Sequence, residues 1–453
     1  MSVASQGQTA APVAGTGLTV SQWLACAVAG AGFMFDTYEI VIQSIVVRPA
    51  LMDLTGLPPG SSAFNLWVGL ILFLPFVAGG IAGLAGGYIT DRFGRRRVLV
   101  WSIVLYGVAT FGAANADSPG ALLFWRCLTI VGVCTEWIAA TAWITELFPD
   151  RRRRDAALGF TQAMSGVGIF LVAGVYYLSV TYGHLWPEIQ GGHAGWRYAL
   201  SFGALPVLPV LLARIGLPES PRWRELKAAG AIERPSFREL FAPEFVRVTI
   251  MTTVLVACIY GLAFGAMQHM PRIVPGLAEV RELTRLQQEQ TISLVHFMQD
   301  LGGLIGRFAL AFLVITALTR RRVLRSFQIP ALFVFPVLFA LAPSIGLPAL
   351  ACGALLAGIA LNGQINFIGN YLPQVYPARL RGIGESFPIS VGGRIIGTST
   401  ALITPWLATY APGHGPAEKL AFAAAGVAAV MCVLGLIVSH FLIEPSQEKA
   451  DSP

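Results

Sequence analysis

Inside the first long apolar run of this 453-residue chain stand two carboxylates and an amide: Asp36, Glu39 and Gln43. Their i, i+3 and i+7 spacing puts all three on one face of a helix. The fourth such run carries Arg126 in its first part and Glu136 close to its centre. Charge in such surroundings is costly, about 2.5 to 3.5 kcal/mol per residue at a bilayer centre on insertion scales. Each of these groups therefore needs a partner or a task. A carboxyl held out of water can take up and release a proton, which makes Asp36, Glu39 and Glu136 candidate proton carriers. Arg126 is a candidate for holding a carboxylate through charge-assisted, bidentate hydrogen bonds. The alternative for each acid is a structural ion pair within a bundle.

Polar side chains recur in the later apolar runs. Gln268 and His269 end the seventh, and Asn362, Gln364, Asn366 and Asn370 lie in the tenth. An amide both donates and accepts, which suits contact with a polar solute, although any single one serves equally as an interhelical hydrogen bond. His296, Asp300 and Arg307 follow at i, i+4 and i+11 in the eighth run, and Glu385 and Arg394 lie in the eleventh. His296 can titrate near neutrality, though a lone histidine is more often a hydrogen-bonded core residue. Enzyme chemistry finds no support. The stretch HFMQD, 296–300, is one residue short of a His-x4-Asp pattern, and the chain has no P-loop, HExxH or GxSxG. The six cysteines lie in apolar runs without metal-ligand spacing, so neither metal nor cofactor is expected.

The elements that must position these groups follow from composition. The chain is 55% hydrophobic and only 12% charged, with mean hydropathy +0.66, against about 25% charged residues in soluble domains. Twelve stretches approach the roughly 20 apolar residues that a membrane-spanning helix needs. They are 19–47, 64–90, 98–116, 120–146, 156–181, 197–216, 246–270, 289–318, 323–342, 346–372, 382–409 and 418–443. With the N-terminus inside, 22 Lys and Arg fall in cytoplasmic segments against six outside. The positive-inside rule then places both termini in the cytoplasm of a multi-pass inner-membrane protein. The net charge of +7 is accounted for by this asymmetry, so no nucleic-acid partner is expected. Residues 1–18 lack the basic start of a signal peptide and read as a disordered cytoplasmic tail, and 444–453 read as a second cytoplasmic tail.

A polar stretch at 218–245 divides the chain into six-span halves, 19–217 and 246–443, and reads as a cytoplasmic linker. The halves echo each other. RRRVL occurs at 95–99 and at 320–324, and ELFPDRRRR at 146–154 is matched by QVYPARLR at 374–381. The expected fold class is an all-α integral membrane protein whose twelve helices form two parallel six-helix repeats, with a site near midplane between them.

The loop GGYITDRFGRRR, 86–97, resembles the GxxxDRxGRR signature of the major facilitator superfamily, whose 6+6 layout matches the whole chain. FDTYE at 35–39, RCLTIVGVCTEW at 126–137, GWRYAL and PESPRW resemble its metabolite, aromatic-acid and sialate proton symporters and its sugar porters. The resemblance implies a gating role for Gly87, Asp91, Arg92, Gly94 and Arg95, with both glycines allowing close helix approach. Arg307 and Arg394 resemble the family's Gly-Arg dipeptides in the same helices, which implies gating or packing. It also implies that Asp36 faces Arg126 as a protonation switch, and that Glu136 matches the acid of a GGE element, although Cys134 and Thr135 replace the two glycines. Spans one, four, seven and ten would line the cavity.

The expected function is proton-coupled symport of a small polar metabolite, an organic acid, by alternating access. A sugar or polyol symporter is the alternative, favoured by PESPRW and the amides of span ten. Against it, span seven lacks a paired-glutamine element, and the C-terminus reads FLIEPSQEK where PETKG is expected. Drug antiport lacks its Gly-Pro element in span five, and a non-transporting sensor on the same fold lacks a long signalling tail.

Overall fold

In a computed structural model, the structure describes residues 20–148, 151–205, 207, 212, 219–229, 236–314, 319–377 and 380–444. The expected tail 1–18, residues 445–453 and parts of the linker lie outside them. The first five spans are Val20–Thr55, Ser62–Phe93, Arg95–Ala114, Pro119–Leu147 and Arg151–Tyr182, and span six opens with Gly195–Ala204. A short helix, Pro221–Ala228, lies in the linker. The second half comprises spans seven to ten at Val246–Gly265, Arg285–Val314, Arg320–Leu341 and Leu347–Val375, and span twelve at Pro416–Ser439. Span eleven runs in pieces: Arg381–Phe387, a π-helical insert Pro388–Ile396, a 3-10 turn and Thr400–Leu407.

Among the described residues ten helices are long and apolar enough to cross a membrane. Span six runs into residues that are not described and span eleven is interrupted, which accounts for the other two. There is no β-strand among the described residues. Span one extends eight residues past its expected end at 47, because its continuation stays helical through Pro49. Helix starts follow ordinary capping. Ser61, Ser118 and Thr319 accept the backbone N–H three residues on, and Pro119 opens span four where its missing N–H is harmless.

The packing repeats with a shift of six. Spans one and five, two and four, and three and six pair in the first half; seven and eleven, eight and ten, and nine and twelve pair in the second. The halves meet along spans two and eleven and along spans five and eight. Spans eight and ten approach closely because a Cβ on Gly302, Gly306 or Gly358 would stand 2.0–2.4 Å from a carbonyl oxygen of the other helix. The outer surface is apolar, with Phe308 68% and Phe312 67% exposed, as a lipid-facing belt requires. The end holding Asp91–Arg97, Glu219–Lys227 and Arg320–Arg325 is called the arginine-rich end below.

Candidate functional site

Arg126 is 1% exposed, and its whole fork is engaged by span one. Its Nη1 donates to Glu39 Oε2 at 2.6 Å, its Nη2 to the Glu39 backbone carbonyl, and its Nε and Nη2 to Gln43 Oε1 at 3.2 and 3.1 Å. Gln43 in turn donates through Nε2 to the Ile71 carbonyl of span two. The acid facing Arg126 is therefore Glu39, not Asp36 as the resemblance implied. Both lie on one helical face, but one turn of span one selects the later residue. Glu39 is seated against span six, where a Cβ on Gly203 would stand 1.8 Å from its Oε1. Tyr38 fastens the same two helices by donating to the Ala199 carbonyl at 2.6 Å.

Asp36 and Glu136 are both fully buried. Glu136 lies ten residues after Arg126 on span four, about 15 Å along the helix. The departure at Cys134 and Thr135 is absorbed locally. Gly79 of span two leaves room for the Cys134 sulfur, 2.8 Å from where its Cβ would stand, and Thr135 donates back to the Val131 carbonyl at 2.8 Å.

In the second half, His269 is fully buried and Gln268 partly so. Asn362, Asn366 and Asn370 recur every four residues and form one stripe on span ten; Gln364 falls on the other side of the helix. Asn362, Gln364 and Asn366 each donate to the carbonyl four residues earlier, Asn366 to that of Asn362. The Asn370 carbonyl accepts from Gln374 at 2.7 Å. Asn362 also lies across Gly303 of span eight. These amides line their own helices and are not brought to Arg126 by any hydrogen bond among the described residues. On span eight, His296 and Asp300 are buried with 3.7 Å between Nε2 and Oδ2.

The arginine-rich end carries the loop expected to gate. Asp91 pairs with Arg95 at 2.9 Å, and Arg95 reaches Glu146 at the end of span four at 2.8 Å. Arg92 points outward, donating to Tyr88 at 3.1 Å. Gly94 has φ +99°, and a Cβ there would stand 2.5 Å from Glu219 Oε2. Glu219 accepts the Arg96 backbone N–H at 3.1 Å, and Trp223 donates to the Asp91 carbonyl at 2.8 Å, so these two linker residues clamp the loop. Glu444 does the same for the second half, accepting the N–H groups of Arg320 and Arg321 at 3.0 Å. A carboxylate at a helix N-terminus satisfies open donors and complements the helix dipole. Gly87 is a correction, because nothing lies within 4 Å of where its Cβ would stand. The close approach on span two belongs to Gly80 and Gly83, which face Ser390 and Arg394 of span eleven. Arg307 on span eight matches this by donating to Ser165 of span five at 3.0 Å.

At the opposite end the halves are joined by groups the sequence reading did not single out. Arg48 pairs with Glu289 at 2.8 Å, and Tyr176 donates to the other Glu289 oxygen at 2.7 Å. Arg272 donates to Asn65 of span two and to His269 Nδ1, the latter at 3.3 Å. Residues 241 and 207 positions apart leave no local trace of such pairing. The equal spacing of 225 residues between Glu219 and Glu444 and between Arg95 and Arg320 did carry a signal for the paired clamps.

The family model described as Major Facilitator Superfamily matches residues 23–387. The sialic acid transporter NanX of Escherichia coli is 23% identical over 385 residues, covering 84% of this chain and 85% of the relative. The E. coli inner membrane metabolite transport protein YhjE is 28% identical, covering 83% and 84%. A putative niacin/nicotinamide transporter NiaP of Bacillus subtilis is 25% identical, covering 86% and 89%. Among solved structures, a D-xylose-proton symporter superposes with a TM-score of 0.70 at 18% identity, covering 95% of this chain and 99% of that one. The inward open xylose transporter XylE from E. coli gives 0.71 at 16%, covering 95% and 98%. At such identity these structures share the fold alone.

Proposed function

The chain belongs to the major facilitator superfamily and is a secondary transporter rather than an enzyme, and from that premise we propose that it is a proton-coupled symporter importing a small organic acid. The observation that carries the proposal is the buried Glu39–Arg126 pair, gripped by Gln43 between spans one and four. A proton on Glu39 removes the charge that holds Arg126 and leaves a planar cation for a substrate carboxylate. Asp36 and Glu136, buried on the same two helices, supply further proton sites. Sialic acid and niacin, the solutes named for two relatives, both carry a carboxyl group. Arginine-rich loops facing the cytoplasm put both termini inside, and the clamps on Asp91, Arg95 and Gly94, with Arg307 and Arg394 across the half-interfaces, act as gates.

One observation favours an uncharged sugar or polyol instead. Arg126 is already neutralised by Glu39 and filled by Gln43, which leaves no spare cation at this place for a substrate carboxylate. Uptake into proteoliposomes under an imposed pH gradient separates the two. Accumulation of N-acetylneuraminate, nicotinate or benzoate supports the first reading; accumulation of xylose or polyols alone supports the second.

A further inference from the structure

Arg272, in the short helix Met270–Ile273 that follows span seven, is 8% exposed and has no carboxylate partner among the described residues. Its bonds go to two neutral acceptors, Asn65 Oδ1 and His269 Nδ1. Since arginine only donates, His269 accepts at Nδ1 and carries its proton on Nε2, a fully buried atom with no hydrogen-bond partner among the described residues. With Nδ1 turned to Arg272, that N–H leaves the far edge of the ring, so His269 props the guanidinium and Arg272 alone offers a donor to the recess it lines. A second guanidinium, Arg48, lines the same recess of about 30 Å³ together with Phe64, but its charge is met by Glu289. That recess shares Gly60, Pro416 and Leu420 with a cavity of about 300 Å³, lined by Asn65, Thr409, His414 and Lys419. A buried guanidinium held only by neutral acceptors is strongly disfavoured unless an anion meets it at some stage.

We infer that Arg272, propped by His269 and approached past Lys419, forms an anion site for a single carboxylate at the end of the molecule opposite the arginine-rich loops. In the present closed arrangement Asn65, from the other half, occupies the guanidinium. When this end opens, Asn65 withdraws with span two and a substrate carboxylate takes its place, so the site serves as the first docking point before Arg126. A neutral partner suits this exchange, because a carboxylate at position 65 would hold the end shut. The inference deepens the organic-acid reading and rests on it for the identity of the occupant.

Formate tests the site without requiring that formate be carried. Thermal-shift titration of detergent-purified full-length protein with sodium formate, against sodium chloride at equal ionic strength, should show stabilisation that Arg126→Gln retains. In Arg272→Gln the half-saturating formate concentration should rise at least about tenfold, the loss of one charge-assisted hydrogen bond. Arg272→Lys, which keeps the charge and spares folding, should weaken it less. Equal responses of the parent and both Arg272 variants, no response of the parent, or a response to inorganic phosphate but not formate overturn the site. Failure of the organic-acid reading shows separately, as absence of carboxylate accumulation in proteoliposomes.

Discussion

Replacing Gly203 with alanine tests the central pair without altering either charge. The new Cβ would stand 1.8 Å from Glu39 Oε1 and 3.0 Å from its Cδ. Even a separation of 3.0 Å, tighter than ordinary packing, requires the oxygen to retreat by about 1.2 Å. Glu39 has little room to do so, since its other oxygen holds Arg126 at 2.6 Å and Arg126 is fastened to Gln43. Overpacking of this kind costs about 1–3 kcal/mol. If the pair opens and strands the guanidinium, the cost rises to about 3–5 kcal/mol. At about 2–4 °C per kcal/mol for domains of the size of each half, the thermal midpoint in detergent should fall by roughly 2–12 °C, and by up to about 20 °C if the pair opens. Uptake driven by a pH gradient should fall with it. Shortening the acid supplies the control. Glu39→Asp withdraws the carboxylate by about one bond length along the chain, close to the required retreat, so Gly203→Ala with Glu39→Asp should recover stability relative to Gly203→Ala alone. Parent-like stability and uptake in Gly203→Ala, or strictly additive effects in the double variant, would refute the reasoning.

Glu39→Gln should abolish pH-driven accumulation while leaving counterflow exchange, and Asp36→Asn and Glu136→Gln, measured side by side, locate any second proton carrier; uphill uptake intact in Glu39→Gln removes it from coupling. At the arginine-rich end, Glu219→Ala should lower the thermal midpoint by a few degrees, since a lost helix N-terminal acceptor costs about 0.5–2 kcal/mol. Asp91→Asn should be milder, because the Trp223 bond goes to the Asp91 backbone carbonyl and survives; identical losses in the two variants would contradict the clamp geometry. Glu289→Gln breaks the Arg48 ion pair and should raise labelling of a cysteine at Asn65 by membrane-impermeant maleimide, with unchanged labelling counting against a closing role.

Most of the fold was legible because a bilayer imposes its length on every helix, and the repeat of RRRVL announced the two halves. Span eleven was legible as an apolar run, but its π-helical insert was not. That insert lets Gly392 and Gly397 lie against the Thr253 and Ala257 carbonyls of span seven, where a Cβ would stand 2.2 and 2.8 Å from the oxygens. Within the site, helical periodicity placed Asp36, Glu39 and Gln43 on one face, yet residues three apart differ by only about 60° in direction. Which acid meets Arg126 is decided by the rotation of span one against span four and by the notch at Gly203, neither of which is written locally. The amides of span ten were read as a group, whereas a two-residue offset sends Gln364 away from Asn362. Arg48 and Arg272 were counted as loop charges because they fall near span ends, although both are gathered into the interface between halves.

Span one ties the central pair to the opposite-end latch. Glu39 and Arg48 are nine residues apart, two and a half helical turns, and so point to opposite faces of the same helix. One face holds Arg126 of span four; the other holds Glu289 of span eight in the second half. Gln43 lies between them and is anchored on the Ile71 carbonyl of span two. A rotation or shift of span one that relaxes Glu39 from Arg126 therefore moves Arg48 against Glu289, because a helix transmits such motion as a rigid rod over about 14 Å. On the proposed symport, a proton on Glu39 and release of the Arg48–Glu289 latch would be two readouts of one helix position, which is the mechanical requirement for coupling a proton to alternating access.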